Sequence, residues 1–135
     1  KLYEASQAGV KIELLIRGIC AVQPGIKGVS ENIVVKSILG RFLEHSRIYH
    51  FINGGDDEYW IGSADLMGRN LDRRVESLVM VQRKEHHVRL QSLLDLGLSE
   101  ETSSWQLKET TWSRPNKKGL TNVHAELIEH YSKDR

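Results

Sequence analysis

The chain has few cysteines and prolines and almost no net charge, so it lacks features that would assign it to a common class of protein. Its 135 residues include one cysteine, Cys20, and two prolines, and the balance of Lys and Arg against Asp and Glu is 19 to 18. A lone cysteine forms no internal disulfide, so the composition fits a reducing compartment and predicts a cytoplasmic protein. A net charge of +1 gives no general attraction for nucleic acid or for an anionic membrane surface. Any anion site therefore has to be local.

Long apolar runs and the common nucleotide motifs are also lacking. No stretch reaches the roughly 18 apolar residues of a membrane-spanning helix, because Arg17 interrupts the longest candidate. The patterns GxxxxGK[ST], GxGxxG ahead of a helix and GxSxG are absent, which disfavours ordinary nucleotide-binding and hydrolase folds. The length suits one domain over residues 1–135. Because the sequence starts at Lys1 without an initiator methionine, we expect it to be a piece of a larger protein.

The apolar pattern predicts an α/β fold. The Asn-Gly-Gly-Asp-Asp run between two apolar segments is its strongest local signal, because these residues favour a hairpin turn. In chain order we expect a helix over 2–9, a strand around 14–16, a loop over 23–29 and a helix over 38–45 capped by Ser37. A hairpin over 47–64, a buried strand over 73–82 and a helix over 83–98 should follow. The chain should close with short strands around Trp105 and Trp112 and a last helix that starts near Thr121 or Asn122.

Two residues, His45 and Arg17, suggest anion chemistry most directly. A histidine followed by Arg47 on the outgoing strand can give a proton to a leaving oxygen or carry a phosphoryl group. The alternative is an ordinary histidine at a helix C-terminus that interacts with the helix dipole. Arg17 ends an apolar strand, where a charge is costly without an anion. A phosphate and an internal salt bridge are equally good partners for it.

Residues at the end of the predicted hairpin and after it are further candidates for binding an anion. If Arg73 and Arg74 lie on one strand, they point to opposite faces, and the inward one needs an anion or an acidic neighbour such as Glu76. Ser63, after Gly62, can present a hydroxyl and backbone N–H groups to an oxyanion, although Ser-Ala-Asp is equally good as an ordinary turn.

The other histidines and the tryptophans fit structural roles better. His86 and His87 are adjacent and diverge on a helix, and His124 and His130 lack the spacing of a metal pair, so we expect both pairs on a solvated surface. The tryptophans could stack on a base, but at strand positions they are more typical of a core.

Two long stretches resemble a known family. LLIRGICAVQPGIKGVSENIVVKSILGRFLEHSRIYHF and NGGDDEYWIGSADLMGRNLDRRVE resemble the C-terminal catalytic domain of bacterial polyphosphate kinase. The likeness is strongest over residues 1–81. It implies a phospholipase D-like fold with a mixed β-sheet flanked by helices, whose signature is His-x-Lys, a downstream Asp and a Gly-Ser pair. Here His45 and Gly62-Ser63 match, whereas Arg47 replaces the lysine and Ile52 the aspartate.

The resemblance also implies a function. The family transfers the terminal phosphate of ATP, reversibly and with Mg²⁺, to inorganic polyphosphate through a phosphohistidine that belongs to the preceding domain. It implies that Arg17, His45 and Arg74 contact the phosphates, with Arg47, Ser63 and Arg73 as further candidates and His45 as a catalytic residue. Mg²⁺ ligands are expected upstream.

The implied partners are ATP or ADP, polyphosphate, upstream domains and further copies of the full-length chain, with no nucleic acid. Location in the cytoplasm or at the periphery of the inner membrane follows from the same resemblance. Two alternatives stay open. One is a non-catalytic module that binds polyphosphate or a nucleotide, and the other is half of a phospholipase D-type phosphodiesterase, which Arg47 and Ile52 disfavour.

Overall fold

A computed structural model describes residues 1–133 and shows a mixed α/β fold with two sheets, which confirms the predicted fold class. The elements are α1 (Leu2–Gln7), β1 (Ile12–Leu15), β2 (Ile33–Ser37), β3 (Ile48–Phe51), β4 (Glu58–Gly62), α2 (Gly68–Arg73), β5 (Leu78–Met80), α3 (Lys84–Leu98), β6 (Trp105–Lys108), β7 (Thr111–Ser113) and α4 (Val123–Ser132).

The described residues form two compact units. The first unit contains Lys1–Glu44 and the described residues from Asp95 onward, and the second unit is His45–Leu94. The first is discontinuous in sequence, and the second is one uninterrupted segment. The prediction of one domain over residues 1–135 stays a prediction. No helix within residues 1–133 is both long and apolar enough to cross a bilayer.

The first unit is built on a four-stranded sheet in the order β1-β2-β6-β7. Strand β2 pairs in parallel with β1 and antiparallel with β6. Its Ile33 and Val35 are buried with Leu107 of β6 and form the centre of the core. Four of the five residues of β2 are buried, so its burial does not alternate, and the first three, residues 33–35, are apolar and β-branched.

The predicted helix over residues 38–45 is wrong. Ser37 is not a helix cap but the last residue of β2, and no regular element follows it until β3. Of the apolar side chains that this helix would have turned toward the core, Ile38 is buried, whereas Leu39 and Phe42 are exposed. The backbone N–H of Phe42 donates to Nδ1 of His124 instead of to a helical carbonyl. A contact from the far end of the chain therefore replaces the helix.

The second unit confirms the predicted hairpin. Strands β3 and β4 pair antiparallel, from Ile48 opposite Ile61 to Phe51 opposite Glu58. The turn between them has positive φ at Asn53, Gly54 and Gly55, a conformation that glycine and asparagine tolerate best.

The rest of the second unit differs in part from the prediction. Strand β5 extends the sheet beside β4, but its three residues are exposed rather than buried. Arg73 and Arg74 do not share a strand, because Arg73 is the last residue of α2 and Arg74 follows it with an extended backbone. The helix predicted over 83–98 is confirmed as α3.

The predicted short strands around the later tryptophans are confirmed as β6 and β7, which form a second hairpin. The last helix is confirmed as well. Its N-cap is Asn122, whose side-chain oxygen accepts from the backbone N–H of Ala125 at 3.1 Å. This bond satisfies one of the unpaired N–H groups at the start of α4.

Candidate functional site

The second unit brings four of the six predicted site residues together at the end of β4. In the sequence, His45 and Arg47 precede β3, Ser63 follows β4 and Arg74 follows α2. The charges of Arg47 and Arg74 both act on Glu76. His45, Ser63 and Arg74 are exposed. Their surroundings decide what each group can offer a ligand.

Arg47 is held at both ends of its guanidinium. Nε and Nη2 donate to Oδ1 of Asp65 at 3.1 and 2.8 Å, and Nη1 donates to the carbonyl of His45 at 2.7 Å. Nη1 also contacts Nδ1 of the His45 ring. The Arg47 side chain is only 14% exposed, so most of its hydrogen-bonding capacity is directed into the protein.

Ser63 is held by Glu76. Its hydroxyl donates to one carboxylate oxygen of Glu76 and accepts from the backbone N–H of Ser77 at 3.0 Å. The second oxygen of Glu76 accepts from Nδ2 of Asn70 at 2.8 Å. Asn70 is buried, and its Oδ1 has no hydrogen-bond partner in the described part of the chain. The Ser63 hydroxyl is thus already engaged in stabilising its turn.

Two titratable groups near this site have shifted pKa values. The hydrogen bond from Ser63, followed by that from Asn70, lowers the pKa of Glu76 below its ordinary value of 4.5, and the charges of Arg74 and Arg47 act in the same direction. Burial raises the pKa of Tyr49, which donates its hydroxyl to the carbonyl of Ala64 at 3.1 Å. Glu76 is therefore an anion at neutral pH and balances part of the positive charge at this site.

Arg73 and Arg17 are the other two predicted site residues. Arg73 is exposed at the end of α2. Arg17 belongs to the first unit and follows β1, where the sequence pattern predicted a costly charge. Its Nη1 is buried and has no hydrogen-bond partner among the described residues. An internal salt bridge, which was the open alternative for Arg17, is not formed within the described chain.

The prediction that the remaining histidines are solvated is partly wrong. His86 is 58% exposed, as expected. His87 packs its ring against Tyr59, with centroids 4.6 Å apart, and contacts the carbonyl of Val81. His124 is buried, because its ring packs against Gly40 and Phe42 rather than facing solvent.

Sequence reasoning also missed the most buried charge of the first unit. Lys36 of β2 has a side chain that is 4% exposed, and its Nζ donates to the carbonyl of Leu98 at 2.6 Å and contacts Glu100. A lysine within an apolar run was the available signal. Its partner is a carbonyl at the end of α3, where a cation is favoured by the helix dipole.

Three comparisons place the chain among known proteins. Residues 1–126 match the family described as polyphosphate kinase C-terminal domain 2. Relatives named polyphosphate kinase include one from Streptomyces coelicolor, 51% identical over 94% of this chain, and one from Pseudomonas aeruginosa, 54% identical over 95%. The chain spans 18% and 19% of the length of these two relatives.

A solved structure extends the comparison to the fold. The crystal structure of polyphosphate kinase from Porphyromonas gingivalis superimposes with a TM-score of 0.85 at 32% identity, over 98% of this chain and 21% of that one. The fold and the sequence thus agree over almost the whole chain. The chain belongs to the family of polyphosphate kinase C-terminal domains.

Proposed function

We propose that this chain forms part of an enzyme that transfers the terminal phosphate of ATP reversibly to inorganic polyphosphate. In this proposal a histidine of a preceding domain carries the phosphate as phosphohistidine. The present chain supplies the groups that bind the phosphates of ATP and polyphosphate, namely Arg17, His45 and Arg74. The observation that carries the proposal is the family match over residues 1–126, together with relatives that are named polyphosphate kinase.

The geometry of Arg17 supports a phosphate ligand. A guanidinium carries a full positive charge and five N–H donors, and leaving a buried donor unpaired costs about 1–3 kcal/mol. Arg17 has such a donor in Nη1. A phosphate oxygen would satisfy it through a charge-assisted hydrogen bond, the strong kind that arginine forms with phosphates. Arg17 is thus prepared for an anion that the described chain does not provide.

The second unit contains the other two proposed phosphate contacts, His45 and Arg74. His45 is exposed and can donate a proton or a hydrogen bond to a phosphate oxygen, and the exposed Arg74 adds a positive charge. Phosphoryl transfer depends mainly on positioning and on charge neutralisation around the transferred group, and these residues can supply both. Ser63 and Arg47 are already bonded within the protein, so we assign the direct phosphate contacts to His45 and Arg74.

Mg²⁺ fits this chain poorly as a directly bound ion. The described residues contain no group of three or more His, Cys, Asp or Glu that could hold a metal. The carboxylates near the site are already bonded, Asp65 to Arg47 and Glu76 to Ser63 and Asn70. We therefore propose that Mg²⁺ reaches the reaction on the phosphates and through ligands upstream. When bound there, it would neutralise phosphate charge.

The proposal is tested in a full-length protein that carries this sequence. The assay follows polyphosphate formation from ATP and ATP formation from polyphosphate and ADP. We expect Arg17→Ala and His45→Ala each to lower both rates by about 100-fold or more, because each removes a donor to the phosphates. The matched control is Arg83→Ala, which removes a side chain that is 77% exposed and should leave the rates unchanged. Wild-type rates in both site variants would contradict the proposed roles.

A second measurement separates this proposal from a simple binding module. The 135-residue chain alone should not form polyphosphate, since the proposed phosphohistidine belongs to a preceding domain. Calorimetric titration of the chain and of its Arg17→Ala variant with ATP and with polyphosphate, at low and physiological salt, then reports whether this chain binds phosphate by itself through Arg17. Binding by the chain combined with no kinase activity in the full-length protein would favour the module. Cleavage of phosphodiesters by the full-length protein would favour the phosphodiesterase.

We also propose, on the same family membership, that the full-length protein forms homo-oligomers and is located in the cytoplasm or at the periphery of the inner membrane. Gel filtration with light scattering and cell fractionation test these two points directly.

A further inference from the structure

Arg47 connects Asp65 to His45 through one guanidinium. Two of its nitrogens, Nε and Nη2, donate to the same Asp65 oxygen, and the third, Nη1, donates to the His45 carbonyl and lies against the His45 ring. Nη1 is also 3.2 Å from Nε2 of that ring. The carboxylate thus fixes one edge of the guanidinium, and the opposite edge fixes the histidine.

The backbone on both sides of this bridge is fixed as well. The N–H of Gly62 donates to the carbonyl of Arg47 at 3.1 Å. Tyr49 donates its hydroxyl to the carbonyl of Ala64, next to Asp65. Both the segment that carries Arg47 and the turn that carries Asp65 are therefore attached to the same hairpin. An arginine anchored in this way cannot follow a ligand without breaking several hydrogen bonds.

We propose that Arg47 is a positioning residue that acts through His45, and that Asp65 anchors it, rather than Arg47 binding phosphate itself. The proposal rests on the phosphate-contacting role proposed above for His45. The bond from Nη1 to the His45 carbonyl fixes the backbone that carries the ring, and the contact of Nη1 with the ring restricts the ring's orientation. Arg47 thereby holds the imidazole in place for a phosphate oxygen.

The first experiment measures the His45 ring without using catalysis. Diethyl pyrocarbonate reacts with the free lone pair of a neutral imidazole, and peptide mass spectrometry gives the rate of modification at each histidine of the full-length protein. Asp65→Asn and Arg47→Lys should both raise the rate at His45 by about threefold or more, because lysine cannot form the two-sided bridge. The rate at exposed His86 is the internal reference.

The matched control is Asp57→Asn. Asp57 contacts Nε2 of His50 at 2.8 Å, so this variant also removes a carboxylate from a histidine pair of the same unit. It should change the reactivity of His50 and leave that of His45 unchanged. An unchanged His45 rate in both Asp65→Asn and Arg47→Lys would overturn the proposal, and Arg47→Lys decides the question alone if Asp65→Asn does not fold.

A double-mutant cycle on phosphate transfer then separates indirect from direct action. If Arg47 acts through His45, Arg47→Lys should lower the rate clearly in the wild-type background and by less than about twofold in the His45→Ala background. Equal losses in both backgrounds would show that Arg47 acts on the substrate independently, and would overturn the proposal. If His45→Ala alone has no effect, the proposed function of His45 fails, whereas the modification rates still decide whether Arg47 positions the ring.

Discussion

Nδ1 of His124 accepts a hydrogen bond from the backbone N–H of Phe42 at 3.0 Å, and the same ring lies directly against Gly40. The bond fixes the tautomer, because an accepting Nδ1 leaves the proton of a neutral ring on Nε2. Helix α4 therefore holds the irregular segment that runs from the end of β2 to Glu44, one residue before His45. This relationship leads to the first prediction.

Gly40→Ala should destabilise the protein, because a Cβ at Gly40 would overlap the imidazole of His124. Forcing extra volume into such a contact costs about 1–3 kcal/mol of unfolding free energy. Denaturant unfolding measures the change. The matched control is Gly18→Ala, since nothing lies within 4 Å of a Cβ at Gly18. If the overlap is the cause, His124→Ala should make Gly40→Ala nearly neutral, and equal destabilisation in both backgrounds would argue against it.

Lys36 and Glu100 should contribute unequally to stability although they form one pair. Lys36→Ala opens space in a buried site and leaves the Leu98 carbonyl unpaired, which should cost about 2–4 kcal/mol. Glu100→Gln should cost less than about 1 kcal/mol, because the Glu100 side chain is 82% exposed and its charge is screened by water. Chemical denaturation of the two variants gives both values. A cost for Glu100→Gln as large as that for Lys36→Ala would mean that the ion pair, not the bond to Leu98, dominates.

The lowered pKa of Glu76 predicts that the stability difference between wild type and Glu76→Gln depends on pH. Its pKa is lowered in the folded protein, so its contacts with Ser63 and Asn70 stabilise the fold above the ordinary pKa of 4.5 and lose that effect as the pH falls through the folded value. Wild type should therefore exceed Glu76→Gln in stability at neutral pH, and the difference should shrink below pH 4.5. Thermal unfolding across this range tests the sign. A difference that grows on acidification would contradict the assignment.

The unpaired Nη1 of Arg17 predicts that replacing this residue has opposite effects on the stability of the fold and on phosphate binding. Without phosphate its buried Nη1 is unpaired, so Arg17→Met should raise the free energy of unfolding by about 1 kcal/mol while it weakens phosphate binding. Unfolding of both forms with and without polyphosphate provides the comparison. Polyphosphate should stabilise wild type clearly more than the variant. A variant less stable than ligand-free wild type would indicate that Arg17 supports the fold instead.

Local signals in the sequence predicted the elements that local chemistry determines. The glycines after Asn53 specified the turn of the first hairpin, and Asn122 specified the start of α4. The helix α3 followed from apolar spacing alone. In each case the residues that decide the structure lie within a few positions of one another, so a pattern in a short window contains the answer.

The elements that were missed or predicted wrongly depend on distant residues. Strand β2 is fixed by pairing with β1 and β6, and the segment after it is held by His124, 82 positions from Phe42. The site shows the same division. The unusual position of Arg17 was visible in the sequence, whereas the bridge from Asp65 through Arg47 to His45 needs the hairpin and its following turn to be folded first.

The placement of β2 beside β6 has a consequence for synthesis on the ribosome. Val35 is paired with Leu107, and the whole second unit is inserted in the sequence between them. The continuous segment His45–Leu94 can therefore acquire its structure while the first unit still lacks β6 and β7, and the core around Val35 closes only after Leu107 has emerged. Until that moment the β-branched edge of β2 is unprotected, which makes the nascent chain most prone to aggregation during translation of the inserted unit.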